Sequence, residues 1–272
     1  MSRYDAMFSR LTAEGAGAFI PFAMLGDPAP AASYTVLASL IAGGADALEL
    51  GLPFSDPVAD GPVIQAAAVR ALGAGATLES SWRTIREVRL NHPDLPIGIL
   101  VYANLVSHRS LEQFYGEAGA AGVDSVLVAD LPVSEAAPYC EAARNAGIAP
   151  VFIAPPNADA QRLAAIAAKG KGYTYVVTRR GVTGIDRELQ HEGSALLSKL
   201  RELRAAPPVL GFGIATPHQV REAVSSGAAG AISGSAVVAI VERHADNLSR
   251  LSQELTNFVR QMKQATVPGP TI

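Results

Sequence analysis

The feature that most constrains this chain is a series of eight short apolar segments, each followed by a stretch with helical spacing. The segments are 18–25 (AFIPFAML), 46–51 (DALELG), 96–102 (PIGILVY), 124–129 (DSVLVA), 149–153 (APVFI), 173–178 (YTYVVT), 208–212 (PVLGF) and 229–233 (AGAIS). Short apolar runs bounded by turn residues read as strands buried on both faces. In the stretch 30–43, Val36, Leu37, Leu40 and Ile41 share one helical face; in 246–262, Leu248, Leu251, Leu255, Phe258, Val259 and Met262 do the same. Alternating buried strands and amphipathic helices imply βα units and a mostly parallel sheet. Eight units in 272 residues predict one (β/α)8 barrel domain, a TIM barrel over residues 1–272 with extra helices and two long loops. The competing open doubly wound sheet would call for a Gly-x-Gly-x-x-Gly after the first strand, and none is there.

Composition narrows the function. A net charge of −3 and a pI near 6.0 provide no electrostatic footprint for nucleic acid or an anionic membrane. The single cysteine, Cys140, excludes an intramolecular disulfide framework and a cysteine zinc site, and reads as a partly buried helix thiol. Asp5, Arg10 and Glu14 interrupt any apolar leader. The longest uncharged run, Ala223 to Val241, contains glycine and serine but no leucine, and breaks into helix, turn, strand and turn instead of a span of about 20 apolar residues. A soluble, cytoplasmic protein is expected. The end, 266–272, carries Pro and Gly and is expected to fray.

Two strand-to-strand steps, from residue 46 to 96 and from 173 to 208, are longer than the rest. Both insertions begin where a strand ends, on the face where barrel enzymes place their chemistry. The first opens LPFSDPVADGP (52–62) and the second TRRGVTG (178–184), and their Pro and Gly punctuation suits lids.

Glu49 is the most informative residue. It alternates with Leu48 and Leu50, so if the leucines face the helix layer, Glu49 points into the barrel near the end of its strand. Burial there raises a carboxyl pKa, the tuning a general acid/base needs near neutral pH; a structural glutamate bonded to backbone is the competing reading. Asp60 alone would be an ordinary Asp-Gly turn residue, and gains interest by sharing the mouth with Glu49. A second signal is the glycine pair Gly211 and Gly213 after the seventh strand, together with Gly234 and Ser235 after the eighth, directly before a short helical run. Barrels often bind phosphate there through backbone N–H groups and a helix N-terminus, and Ser235 is expected to cap that helix and donate to the anion. Tight-turn glycine is the competing reading.

Some chemistry is disfavoured. None of the four lysines (Lys169, Lys171, Lys199, Lys263) falls at the C-terminal end of a strand, which argues against a Schiff base. The five histidines lie in helices or connections, and no metal site is expected. Carboxylates and a phosphate cradle remain.

The stretch 45–62 (ADALELGLPFSDPVADGP) closely resembles the signature of the tryptophan synthase alpha chain family, as do 123–130 (VDSVLVAD), 172–175 (GYTY), 181–184 (GVTG), 211–214 (GFGI) and 227–235 (GAAGAISGS). The similarity runs from about Tyr4 to Lys263, and departs at Leu52, where valine is common, and at Arg180 beside Arg179. The resemblance implies retro-aldol cleavage of indole-3-glycerol phosphate to indole and glyceraldehyde 3-phosphate, with Glu49 as acid/base and Asp60 accepting from the indole N–H. It implies an apolar slot from Phe22, Leu100, Tyr102, Leu127, Ile153, Tyr175, Phe212 and Ile232, closed by Thr183, and a phosphate site from Gly184, Gly213, Gly234 and Ser235. It implies no cofactor in this chain, and a beta-chain partner carrying pyridoxal phosphate in an α2β2 complex, met through Pro53, Asp56, Pro57, Asn104, Asp130 and Pro132. A free-standing lyase, a weakly catalytic subunit that mainly activates its partner, and a phosphosugar isomerase barrel stay open as alternatives.

Overall fold

The computed structural model describes residues 1–177 and 187–267. Its eight strands close into a barrel in sequence order, every neighbouring pair parallel. They are β1 (Ala18–Met24), β2 (Leu48–Gly51), β3 (Ile97–Val101), β4 (Ser125–Val128), β5 (Ala149–Ala154), β6 (Thr174–Val176), β7 (Pro208–Gly211) and β8 (Gly230–Ser233). The helices are α1 (Arg3–Ala13), α2 (Ser33–Ala42), α3 (Pro62–Gly73), α4 (Leu78–Asn91), α5 (Ala103–Ser107), α6 (Leu111–Ala121), α7 (Ala137–Asn145), α8 (Ala160–Lys169), α9 (Arg187–Glu202), α10 (Pro217–Ser225), α11 (Ser235–Arg243) and α12 (Leu248–Gln264). All eight expected strands are present within a few residues of their expected limits.

Side-chain parity splits the apolar residues into two clusters. Leu48, Leu50, Ile97, Ile99 and Val101 pack outward against the helices. Ile20, Phe22, Met24, Leu127, Val151 and Ile232 fill the barrel interior. This is the layering expected of a barrel whose lumen is filled by side chains. The outer helices bury one stripe each. In α12 that stripe is Leu251, Leu255, Val259 and Met262, each burial contributing on the order of 2 kcal/mol. Leu248, expected on the same face, lies in the first turn and remains substantially exposed.

The bottom of the barrel is closed by α1, whose Tyr4, Met7 and Leu11 are buried. The Tyr4 hydroxyl and Ser125 Oγ are hydrogen-bonded at 2.9 Å. Asp124 draws in Arg3 at 2.8 Å and Arg89 at 2.6 Å. The end of the chain is less loose than its composition suggests. Thr266 is fully buried, and Gly17 N–H donates to its carbonyl at 3.0 Å, so fraying does not begin there. Residues 268–272 lie outside the described residues. Cys140 is half-buried on α7, as expected. The run from Ala223 to Val241 ends in α11, the short helix expected after Gly234 and Ser235. Among the described residues, no helix is long and apolar enough to cross a membrane.

Candidate active site

Glu49 occupies the second position of β2, in register with Phe22 of β1 and Gly98 of β3. Its neighbours Leu48 and Leu50 belong to the outer layer, and Glu49 itself is buried in the lumen. Tyr173, immediately before β6 on the opposite wall, donates its hydroxyl hydrogen to Glu49 Oε1 at 2.5 Å. The Glu49 carboxyl is pushed up to about 7: burial raises it most, the Tyr173 hydrogen bond opposes the rise, and the nearby Asp60 charge adds to it. The group can therefore give or take a proton near neutral pH.

Above Glu49 lies a cavity of about 380 Å³ at the C-terminal end of the barrel. Phe22, Leu100, Tyr175 and Ile232 form apolar walls, with Phe212 at the rim, 56% exposed. Ile64 and Ile214, which the sequence reading did not single out, also line it. A Cβ at Gly211 would lie 2.4 Å from the Tyr175 ring, so only glycine lets that ring pack against the end of β7. Leu127 is buried in the interior cluster, and Ile153 packs against it partly buried; neither is on the cavity wall.

Tyr102 also stands off the wall, because its side chain serves the first loop. Its hydroxyl accepts from Ala59 N–H at 3.1 Å and hydrogen-bonds the Asp60 carboxyl, and its ring stacks on Phe54 at 5.3 Å. Gln65 of α3 adds a donor to the Asp60 carbonyl at 2.9 Å. So held, Asp60 lines the same cavity as Glu49. Partial burial raises its pKa and the Tyr102 hydrogen bond opposes the rise.

The far rim is built from glycine and the start of α11. Gly213 has φ +76°, a backbone that disfavours any side chain. The buried Ser233 donates Oγ–H to the Ile214 carbonyl at 2.7 Å, which braces the loop after β7 against β8. Ser235 does not cap α11 as expected. Gly234 occupies the N-cap with no side-chain bond, and Ser235 is the first helical residue, exposed at the rim. Among the described residues no side chain caps α11, whose N-terminal end carries partial positive charge at this rim. Thr183 and Gly184 lie outside the described residues.

The residues expected to meet a partner sit over three consecutive strands: Pro53, Asp56 and Pro57 after β2, Asn104 after β3, and Asp130 and Pro132 after β4. Asp130 Oδ1 accepts from Ala103 N–H at 2.8 Å and ties two of these loops together. A wider depression of about 610 Å³ runs from Asp130 and Pro132 to Arg162 of α8, away from Glu49.

An eight-stranded parallel barrel with a buried carboxyl raised to about 7, under an apolar pocket at the C-terminal end of the strands, has the architecture of a barrel enzyme equipped for acid–base chemistry. Comparison with known proteins specifies the family. The family model for the tryptophan synthase alpha chain matches residues 8–267. The alpha chain of Shewanella oneidensis is 56% identical over 97% of this chain and 95% of its own length, and that of Shewanella amazonensis is 54% identical over 98% and 100%. Among solved structures, the tryptophan synthase subunit alpha of Legionella pneumophila is 29% identical with a TM-score of 0.87, covering 98% of each chain. A chain from the tryptophan synthase a2b2 complex of Pyrococcus furiosus is 33% identical with a TM-score of 0.81, over 91% of this chain and 98% of that one. The chain belongs to the tryptophan synthase alpha chain family.

Proposed function

We propose that Glu49 and Asp60 carry the carbon–carbon lyase reaction of this family, cleavage of indole-3-glycerol phosphate to indole and glyceraldehyde 3-phosphate. The observation that carries the assignment is Glu49: a buried carboxyl poised near pH 7 beneath an apolar cavity wide enough for an indole ring. Protonated Glu49 gives its proton to ring carbon C3, which makes the ring an indoleninium electron sink. The side-chain hydroxyl then loses its proton to the Glu49 carboxylate. As its oxygen becomes the aldehyde carbonyl, the bond between C3 and the side chain breaks, and the electron pair restores the aromatic ring. Glu49 ends the cycle protonated. Asp60, braced by Tyr102 and Gln65, accepts from the indole N–H and stabilises the positive charge that develops there, a preorganised electrostatic contribution. Phe22, Leu100, Tyr175, Phe212 and Ile232 hold the ring. Gly213, Gly234 and Ser235 meet the phosphate with backbone N–H groups and one hydroxyl, with Gly184 and Thr183 assigned to the closing lid.

The chain pairs with a beta chain, as in the a2b2 complex named for the Pyrococcus furiosus relative. We assign the partner face to Pro53, Asp56, Pro57, Asn104, Asp130 and Pro132; Val58, 81% exposed within the same loop, supports an apolar contact there. Pyridoxal phosphate belongs to the beta chain, and this chain works in the cytoplasm, as one barrel domain over 1–272, without a cofactor of its own.

The test is Glu49→Gln. Indole release is expected to fall by about 10²–10⁴-fold while glycerol 3-phosphate still binds within twofold of wild type. Retention of more than a tenth of wild-type turnover would refute the assignment.

A further inference from the structure

The two ends of the cavity are built on helices distant in sequence, and one side chain joins them. Helix α3 follows directly on the Asp60 loop and holds the Asp60 carbonyl through Gln65. Helix α11 begins at Gly234, on the opposite rim. The two helices pack against each other and over β1. Arg70 of α3 grips Asp27, just past β1, with a two-pronged contact: Nε to Oδ1 and Nη2 to Oδ2, both at 2.9 Å. Its third nitrogen, Nη1, donates to Glu242 Oε1 near the end of α11 at 2.8 Å. Asp27 is 2% exposed, in a turn secured by the Gly26 N–H to Ser33 Oγ bond at 2.7 Å. The guanidinium thus ties both helices to one point on the barrel.

We propose that Arg70 is a positioning residue that sets the spacing between the acid end of the site, at Asp60, and the phosphate end, at Gly234. The proposal rests on the reading of those two ends given above. A substrate with an aromatic ring at one end and a phosphate at the other gains from both subsites only when their separation matches its own length. Each subsite is assembled from local contacts: Asp60 from Tyr102 and Gln65, the cradle from Gly213, Ser233 and the start of α11. Their relative placement depends on side chains between α3 and α11. A planar guanidinium with three donors on three fixed bearings holds that placement, whereas an ammonium at the same site offers a point charge and no fork. A misplacement of about 1 Å is enough to cost on the order of 10²-fold in rate.

The distinguishing measurement compares the intact substrate with its fragments, on the full chain. For Arg70→Lys, kcat/KM on indole-3-glycerol phosphate is expected to fall about 10- to 100-fold, while dissociation constants for glycerol 3-phosphate alone and for indole alone stay within twofold of wild type. Glu242→Gln cuts only the α11 arm, at a half-exposed partner, and is expected to show the same pattern at about threefold. It keeps the question open to a decision if Arg70→Lys does not fold. A general loosening of the structure would weaken fragments and intact substrate together, and that outcome, or an unchanged kcat/KM in folded variants, overturns the proposal. Failure of the underlying reading looks different: wild type itself would then not bind glycerol 3-phosphate.

Discussion

The Tyr173 hydroxyl donates to Glu49 Oε1 at 2.5 Å across the lumen, from a position four strands away around the barrel. The contact fixes one side of the carboxyl while the Glu49 side chain still lines the cavity. It also moderates the carboxyl electrostatically, since a hydrogen bond to the charged form opposes the effect of burial. Tyr4 of α1 stands behind Tyr173, the ring centroids 5.5 Å apart, so the helix that plugs the barrel bottom also backs the acid. Three predictions in addition to the Glu49→Gln test follow from this arrangement and its surroundings, and a fourth concerns the phosphate rim.

Tyr173→Phe keeps the ring and removes the donor. Glu49 then loses the contact that lowers its pKa, and the limb of the kcat/KM profile that reports it is expected to move above pH 7. Turnover at a pH optimised for the variant is expected to stay within about tenfold of wild type, because the acid itself remains. A profile that stays in place or moves to lower pH contradicts the role.

Glu49 also leaves a signature in stability. Its folded-state pKa of about 7 exceeds the ordinary 4.5, so the folded protein binds the extra proton between those values. The contribution is fully present below pH 4.5 and is lost as pH rises through 7. Glu49→Gln has no such group. Its stability relative to wild type is therefore expected to increase from pH 4.5 to about 7 and then level off, by at most on the order of 3 kcal/mol. Urea titrations across that range measure it, and a constant difference at every pH would show that burial does not govern this carboxyl.

Asp60→Asn retains the loop contacts to the Asp60 backbone and replaces the carboxylate with an amide. A loss of about 10²-fold or more in indole release is expected, since the neutral amide stabilises ring charge poorly. The loss should shrink on a substrate analogue that lacks the ring N–H. An equal loss on both substrates would assign Asp60 some other task.

At Gly234 the structure separates size from charge. A Cβ there would meet Phe22 and Ile64 at 3.7–3.9 Å, ordinary contact distances. Gly234→Ala is therefore expected to bind glycerol 3-phosphate within a few-fold of wild type, whereas Gly234→Asp places a carboxylate where an anion should sit and weakens binding by at least tenfold. Calorimetric titration of both variants decides the point, and unchanged affinity in folded Gly234→Asp places the phosphate elsewhere.

The barrel itself was legible in the amino-acid sequence, and so was its polarity. Strand positions follow from short apolar runs, and the alternation of Leu48, Glu49 and Leu50 was enough to turn the carboxyl inward, because a strand sends successive side chains to opposite faces. The glycines at 213 and 234 marked the rim, and Gly211 the close approach of the Tyr175 ring, where few other residue types fit. What stayed hidden are relationships between distant residues. Tyr173 and Glu49 are 124 positions apart, and a tyrosine at the start of one strand carries no mark of the residue it will meet on the opposite wall. The family resemblance placed Tyr102 in the ring slot, yet its hydroxyl reaches the backbone of the Asp60 loop. Ser235 read as a helix cap by residue type, while the backbone at Gly234 took the cap position and left the helix end open. Arg70, Asp27 and Glu242 are ordinary charged residues in the sequence, and the packing of α3 and α11 over β1 made them one junction. Periodicity and local propensity determine elements and their buried faces, because both act between near neighbours in the chain. Which polar groups share a buried space is decided only when the barrel closes, because closure sets the distances between walls and each desolvated donor or acceptor must then pair with what lies opposite.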